Sequence, residues 1–385
     1  MVLRRGGFQI RPYRPTYLHK PLFSRLPSFV HCWFLLDAFL RLTYFTRNSF
    51  PIGKGEPMKR IWLAVALLFF SSQRLEALNH LRAASGGFTT AIHAVLWAAY
   101  EEKIFRKYGL DVEYLALNTG RLGMQMLLSD DIQILFSTGV TVVTTNLQKG
   151  DLTIIGGGLN FFPTKLITRP EIKRGVDLKG KALAVGGFGA ANHMALLVAL
   201  EKLGINPKEV SIIQVAGGAA QLTALSKGAV YGLMFNEPQA TIAVKKFGMH
   251  SLIDLMESKA PFPQNCFIVK RNYLESNRDK VTNFMKAVIE SIYLLKKDKP
   301  LAVRLIKKYI RVNDEEATIG YDYYLAKHSE GILDLPDRRG LQFVIEETAK
   351  TNPKAVGQTP ESLRLTEPSV LDEIKKSGFV EKVKY

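Results

Sequence analysis

The chain has 385 residues, 47% of them apolar and 23% charged, which suits a globular fold of one or two domains around a large core. Its formal charge of +17 invites a nucleic-acid partner, but residues 1–77 alone hold 12 Lys/Arg against 3 Asp/Glu, so over half of the excess precedes the expected folded part. The remaining basic residues, Lys245, Lys246, Lys307 and Lys308 among them, are scattered along amphipathic runs without an aromatic-laced stripe, so no nucleic acid is expected as a partner. Cys32 and Cys266 are the two cysteines, which excludes a disulfide framework and a zinc site of paired cysteines. Cys266 lies in an apolar run and reads as a buried strand thiol.

From Met58 the chain runs Met58-Lys59-Arg60, then an apolar stretch over 61–70, then Ser71, Ser72 and Leu75-Glu76-Ala77. A basic start, a short apolar stretch and a small residue at the cut make a secretory signal peptide over 58–77, hence a periplasmic location. The stretch is shorter than the ~20 residues that span a bilayer. Residues 1–57 fit a non-native or unstructured extension. Lys54-Gly55-Glu56 back-translates into a purine-rich stretch ahead of Met58, as if translation began there.

Beyond the signal, short β-rich runs alternate with helical ones, the rhythm of βα units, which predicts parallel sheets covered by helices. A helix is expected over 91–107, with Gly109 as its stop. Strands are expected over 111–117, 132–136 and 152–155, with helices near 121–128 and 140–149. A second series follows: strands 182–185, 210–215 and 230–235, each with its helix, 190–203, 219–227 and 238–247. After a strand at 266–269 the pattern is helical, with 3.6-residue periodicity over 281–295 and amphipathic runs at 301–310, 315–326 and 341–349. These helices need a sheet to cover, so the economical arrangement returns the chain to the first lobe. The expected division is 78–175 plus 265–385 as one lobe and 176–264 as an inserted lobe. Two crossovers, near 169–176 and 261–265, make a hinge whose cleft closes on a ligand.

In open α/β sheets ligands sit beyond the carboxyl ends of strands. The segments that follow the expected strands are small and polar: Phe88-Thr89-Thr90, Asn118-Thr119-Gly120, Ser137-Thr138-Gly139, Asn160-Phe161, Gly187-Phe188-Gly189 with Asn192, Gly218, and Asn236-Glu237. Hydroxyls and amides there cap helices or bind solutes, and free N–H groups at a helix start hold oxyanions. Any single loop reads equally as a cap or turn; convergence of all of them on one cleft is what marks them as ligand-binding. Glu237 either holds a ligand amine or caps its own helix. Gly187 to Asn192 lacks the last glycine of a dinucleotide fingerprint and no acidic residue ends the next strand, so no cofactor is expected. Neither a nucleophile elbow nor a His-Glu-x-x-His or phosphate loop occurs, so no catalytic or metal residues are assigned. His93, the histidine nearest a predicted cleft loop, reads as a helix-face residue.

The stretches Glu101 to Glu113, Asp177 to Val185, Ala219 to Gly228, Asn236-Glu237-Pro238 and the helix over 281–296 resemble, in this order, the substrate-binding proteins of the sulfonate, nitrate and taurine importers, the family also described as similar to thiamine-pyrimidine synthase. The resemblance implies a type II periplasmic-binding-protein fold, capture of a small molecule between two α/β lobes, and a monomer that delivers it to ABC permease and ATPase subunits. Tyr231 departs from that pattern, which usually has an acidic residue there. With no Arg or Lys in the loops above, the lining tilts toward an aromatic, heterocyclic or weakly charged ligand. A synthase-like enzyme is the alternative, but that family uses a cysteine-rich motif where the expected mature part has Cys266 alone. A sensor subunit without transport is a third reading.

Overall fold

A computed structural model describes residues 78–86, 90–117, 119–215, 217–326 and 333–384. The expected extension over 1–57 and signal over 58–77 lie outside the described residues, as do Phe88, Thr89 and Asn118. No helix among the described residues is long and apolar enough to cross a membrane. Residues 76–385 form one compact unit. Its strands are β1 (Asn79–Gly86), β2 (Leu110–Leu117), β3 (Ile134–Ser137), β4 (Leu152–Gly157), β5 (Thr164–Thr168), β6 (Ala182–Val185), β7 (Ser211–Gln214), β8 (Gly232–Asn236), β9 (His250–Asp254) and β10 (Cys266–Lys270). They form two five-stranded sheets, ordered β2-β1-β3-β10-β4 and β7-β6-β8-β5-β9.

The sheets are mixed rather than parallel throughout. Strand β10 runs antiparallel to both β3 and β4, and β5 runs antiparallel to both β8 and β9. Each antiparallel strand is the one by which the chain enters a sheet after leaving the other. A chain arriving at the carboxyl end of the strands has to run back through the sheet, which reverses its sense. Because β5 pairs within the second sheet, the first crossover falls between β4 and β5, earlier than the expected 169–176.

Strand β1 has no β-branched or aromatic residue, so propensity hid it. It forms because Leu81, Ala83 and Ala84 are almost wholly buried between β2 and β3. The helix expected over 91–107 is broken. A 3-10 turn, Ala91–His93, leads into Ala94–Glu101, Lys103 then takes a left-handed conformation (φ 58°), and Ile104–Lys107 follows. The turn brings Phe105 onto Phe284, ring centroids 4.9 Å apart.

The 20-residue helix Arg278–Lys297 buries Val281, Phe284, Met285, Val288, Ile289, Ile292 and Leu295, three and four residues apart, against Ala94–Glu101. Alanines at 94, 98, 99 and 287 permit close approach, and the Ser291 hydroxyl donates to the Val95 carbonyl at 2.6 Å. A second apolar cluster is continuous between the sheets: Leu135, Ile154 and Ile268 of the first connect through Phe162 and Phe262 to Leu166, Leu183 and Val185 of the second.

Candidate functional site

Topology brings the functional ends together. Residues 158–163 join the carboxyl end of β4 to the start of β5, and 255–265 join the carboxyl end of β9 to the start of β10. Because β5 and β10 are antiparallel to their neighbours, both of their starts lie at the carboxyl ends of the parallel strands. The carboxyl ends of both sheets therefore meet at the crossovers. The crossovers are bonded to each other: Phe162 N–H donates to Ala260 O (3.3 Å), Phe262 N–H to Asn160 O (3.0 Å), and the rings of Phe162 and Phe262 stack at 4.0 Å. Phe161, expected to line the cleft, forms a bridge to Pro261 in this pair.

At the first sheet, Gly86 and Gly120 touch so closely that a Cβ on Gly86 would sit 2.6 Å from the Gly120 Cα. Only glycine fits there. The Thr119 hydroxyl accepts from Leu122 N–H (3.3 Å) and caps its helix, while that of Thr138 accepts from Val140 N–H (3.3 Å) in the turn that leads into the next. Gly139 N–H donates to Pro263 O at 2.8 Å, which occupies that amide with the second crossover. Ser137 is buried beside Gly120. Thr90 is also buried, and its hydroxyl lies 3.2 Å from His93 Nδ1. His93 itself stands edge-on to Phe136 at 5.2 Å. The tip of Phe136 and Asn265 Cβ both lie against Gly158, so His93, Phe136 and Asn265 form one wall.

At the second sheet, Asn192 Nδ2 lies 2.9 Å from where a Cβ on Gly186 would be, and Gln221 Nε2 3.5 Å from it. Gln221 is buried and donates to Val215 O (2.9 Å). A Cβ on Gly187 would meet only Ala190 Cβ, at 4.0 Å, Gly189 takes φ 74° with open space above it, and Phe188 is 61% exposed with its ring edge-on to His193. Burial pushes the His193 pKa down, with a smaller upward pull from Glu347 and a downward one from Lys350, residues of the helix and turn at 338–350. Gly218 opens the helix Gly218–Ser226.

Asn236 ends β8 opposite Thr164, and its Oδ1 is buried without a hydrogen-bond partner. Glu237 does not present a free carboxylate. It is 2% exposed, Oε2 accepts from Thr241 N–H (3.1 Å), and Oε1 pairs with Lys165 Nζ at 2.9 Å. Helix capping and an ion pair, rather than a ligand amine, occupy it. Lys165 also reaches Asp254 at 3.3 Å. Burial lowers the Lys165 pKa, but bonding and attraction from Glu237 and Asp254 outweigh it and leave it raised. Glu237 N–H donates to Tyr324 Oη (3.2 Å), and Tyr323 Oη donates to Asp254 (3.2 Å).

The expected residues thus divide. Thr90, Ser137, Asn160, Gly187, Asn192 and Asn236 stand at the junction; Thr119, Thr138, Gly139, Phe161 and Glu237 are engaged in caps and crossovers. Sequence reading missed Gln221, Lys165, Asn265 and Tyr324. Gln221 and Asn265 were legible as polar residues inside otherwise apolar or turn segments. Lys165 and Tyr324 were not, because strand β5 and the docking of Tyr321–Leu325 were unseen. Among the described residues no group of three His, Cys, Asp or Glu is placed to hold a metal ion. Burial raises the Cys266 thiol far above its usual pKa.

Residues 90–299, more than half the chain, match the family described as NMT1/THI5 like. The chain belongs to the NMT1/THI5-like family. A putative binding protein of Bacillus subtilis (strain 168), YtlA, is 27% identical over 208 residues, 52% of this chain and 61% of that protein. The taurine-binding periplasmic protein of Escherichia coli (strain K12) is 24% identical over 230 residues, 59% of this chain and 69% of that protein. The match thus spans less than two thirds of the Bacillus relative. Among solved structures, the periplasmic aliphatic sulphonate binding protein SsuA of Escherichia coli superposes with a TM-score of 0.62 at 17% identity, over 74% of this chain and 96% of that one. The fold of this NMT1/THI5-like chain is therefore that of the periplasmic binding proteins, as the resemblance implied.

Proposed function

We propose that this protein is the exported solute-capturing component of an ABC importer, that it works in the periplasm without turning its solute over, and that the site is the junction of its two sheets. The observation that carries this is the meeting of both sets of strand carboxyl ends at a doubled crossover, with buried polar groups there that lack partners. A ligand touching both sheets has contacts in the closed state that the open state lacks, so it shifts the population toward closure. Likeness to a taurine-binding periplasmic protein and to a sulphonate-binding protein supports delivery of the solute, as cargo, from the closed form to a permease and ATPase. The Cys266 thiol is buried and held protonated, so it does not serve as a nucleophile.

Solute binding is tested by the melting temperature of the full chain against alkyl and aryl sulfonates, nitrate, taurine, pyrimidines and aromatic acids. A solute at 100 times its dissociation constant adds about 2.7 kcal/mol to stability, a visible shift. Small-angle scattering of the same samples should show compaction. Asn192→Ala should weaken that binding about fivefold while leaving the unliganded melting temperature in place, since one lost hydrogen bond is worth ~1 kcal/mol. Consumption of the solute, or binding without compaction, would refute the reading.

A further inference from the structure

Most of the buried hydrogen-bonding groups left open at the sheet junction only accept; the Thr164 hydroxyl, opposite Asn236, can also donate. His93 is 1% exposed and its Nδ1 lies 3.1 Å from the Thr90 carbonyl oxygen, an atom that only accepts. Nδ1 therefore carries the proton and Nε2 keeps its lone pair. Nε2 is buried and has no partner. Burial, against a smaller pull from the Thr90 bond, holds the imidazole pKa down to about 4, so the ring is neutral at pH 7.

Asn160 is oriented in the same manner. Its Nδ2 donates to Leu335 O (3.2 Å), leaving Oδ1 buried and unpartnered beside Gly157. Asn236 and the 6% exposed Asn265 add two further buried carbonyl oxygens without partners. All four groups are acceptors. The cation at this end, Lys165, is already held between Glu237 and Asp254. An anion here would face lone pairs and no free cation among these groups, whereas N–H or O–H groups would meet partners whose burial has already been incurred.

Building on the solute-capture reading, we infer that the solute is an uncharged or cationic small molecule that donates N–H or O–H hydrogen bonds to His93 Nε2 and to the open amide carbonyls, and that this site discriminates against sulfonates and nitrate. Aromatic or heterocyclic amines and amides fit, because Phe136 supplies an apolar wall beside His93.

Matched pairs on the full chain test it: benzenesulfonamide against benzenesulfonate, nicotinamide against nicotinate, and methanesulfonamide against methanesulfonate, with nitrate alone, read by titration calorimetry and melting temperature. The expected result is binding of the amide members at least tenfold tighter than their anionic partners. His93→Phe, which keeps an aromatic ring and removes the acceptor, should weaken the amides about tenfold. Anions binding as tightly as the amides, or no amide binding, would overturn the inference. Anion binding accompanied by compaction would leave solute capture standing, while a probe that is consumed or that binds without compaction strikes at the capture reading itself. The wild-type pairs decide the matter even where the variant does not fold.

Discussion

His93 couples stability to acidity. Its folded-state pKa of about 4 lies below the ordinary value of 6.5, so between those limits the unfolded chain takes up the proton and the folded chain does not. Stability is therefore complete above pH 6.5 and falls as the pH drops toward 4, by about 3 kcal/mol for a shift of this size. Urea unfolding of His93→Phe should show a shallower loss across that window than the wild type; identical slopes would mean that the ring titrates normally. The same residue shows a limit of sequence reading. His93 was seen to lie near a cleft loop, but its tautomer depends on the Thr90 carbonyl reached through a 3-10 turn, which periodicity does not register.

Among the elements, the π-helical segment Tyr321–Leu325 ties the second sheet, through Tyr323 and Tyr324, to the helices that follow the first. Its Tyr324 is wholly buried and accepts the Glu237 N–H. Tyr324→Phe would leave that buried N–H without a partner, at a cost of roughly 1–3 kcal/mol; a urea midpoint unchanged from wild type would show that the bond contributes nothing. The strand rhythm and the long helix over 278–297 were legible because both rest on apolar spacing that survives in any register. Strands β1, β5 and β9 were not: β1 has no β-branched or aromatic residue, and β5 and β9 are five residues each with polar ends. Missing β5 carried a chemical penalty, since Lys165 reaches the junction from the start of that strand. The loops rightly held no Arg or Lys, yet a cation was there, paired.

At the scale of the molecule, two ion pairs join the helix Gln239–Phe247 to the helix Asp314–Gly320: Lys245 with Glu315 at 2.6 Å and Lys246 with Glu316 at 2.7 Å. The hydrogen bond from Lys246, against an opposing effect of burial, keeps Glu316 below the usual carboxylate range. Replacing both lysines by alanine should enlarge the solute-free protein in small-angle scattering. Raising salt should move the wild type the same way, since exposed pairs are screened over ~8 Å at physiological ionic strength; a variant no larger than wild type would show that these pairs do not restrain the lobes. The strand order has a consequence for how the chain acquires its shape. The second sheet is drawn from one unbroken stretch, β5 to β9, whereas β3 and β4 have no common partner until β10 arrives. As the chain emerges from its N-terminus, the later sheet is thus able to close first, and the earlier one waits with two bare strand edges. Those edges are the point at which a slow or crowded emergence would divert the chain into aggregates.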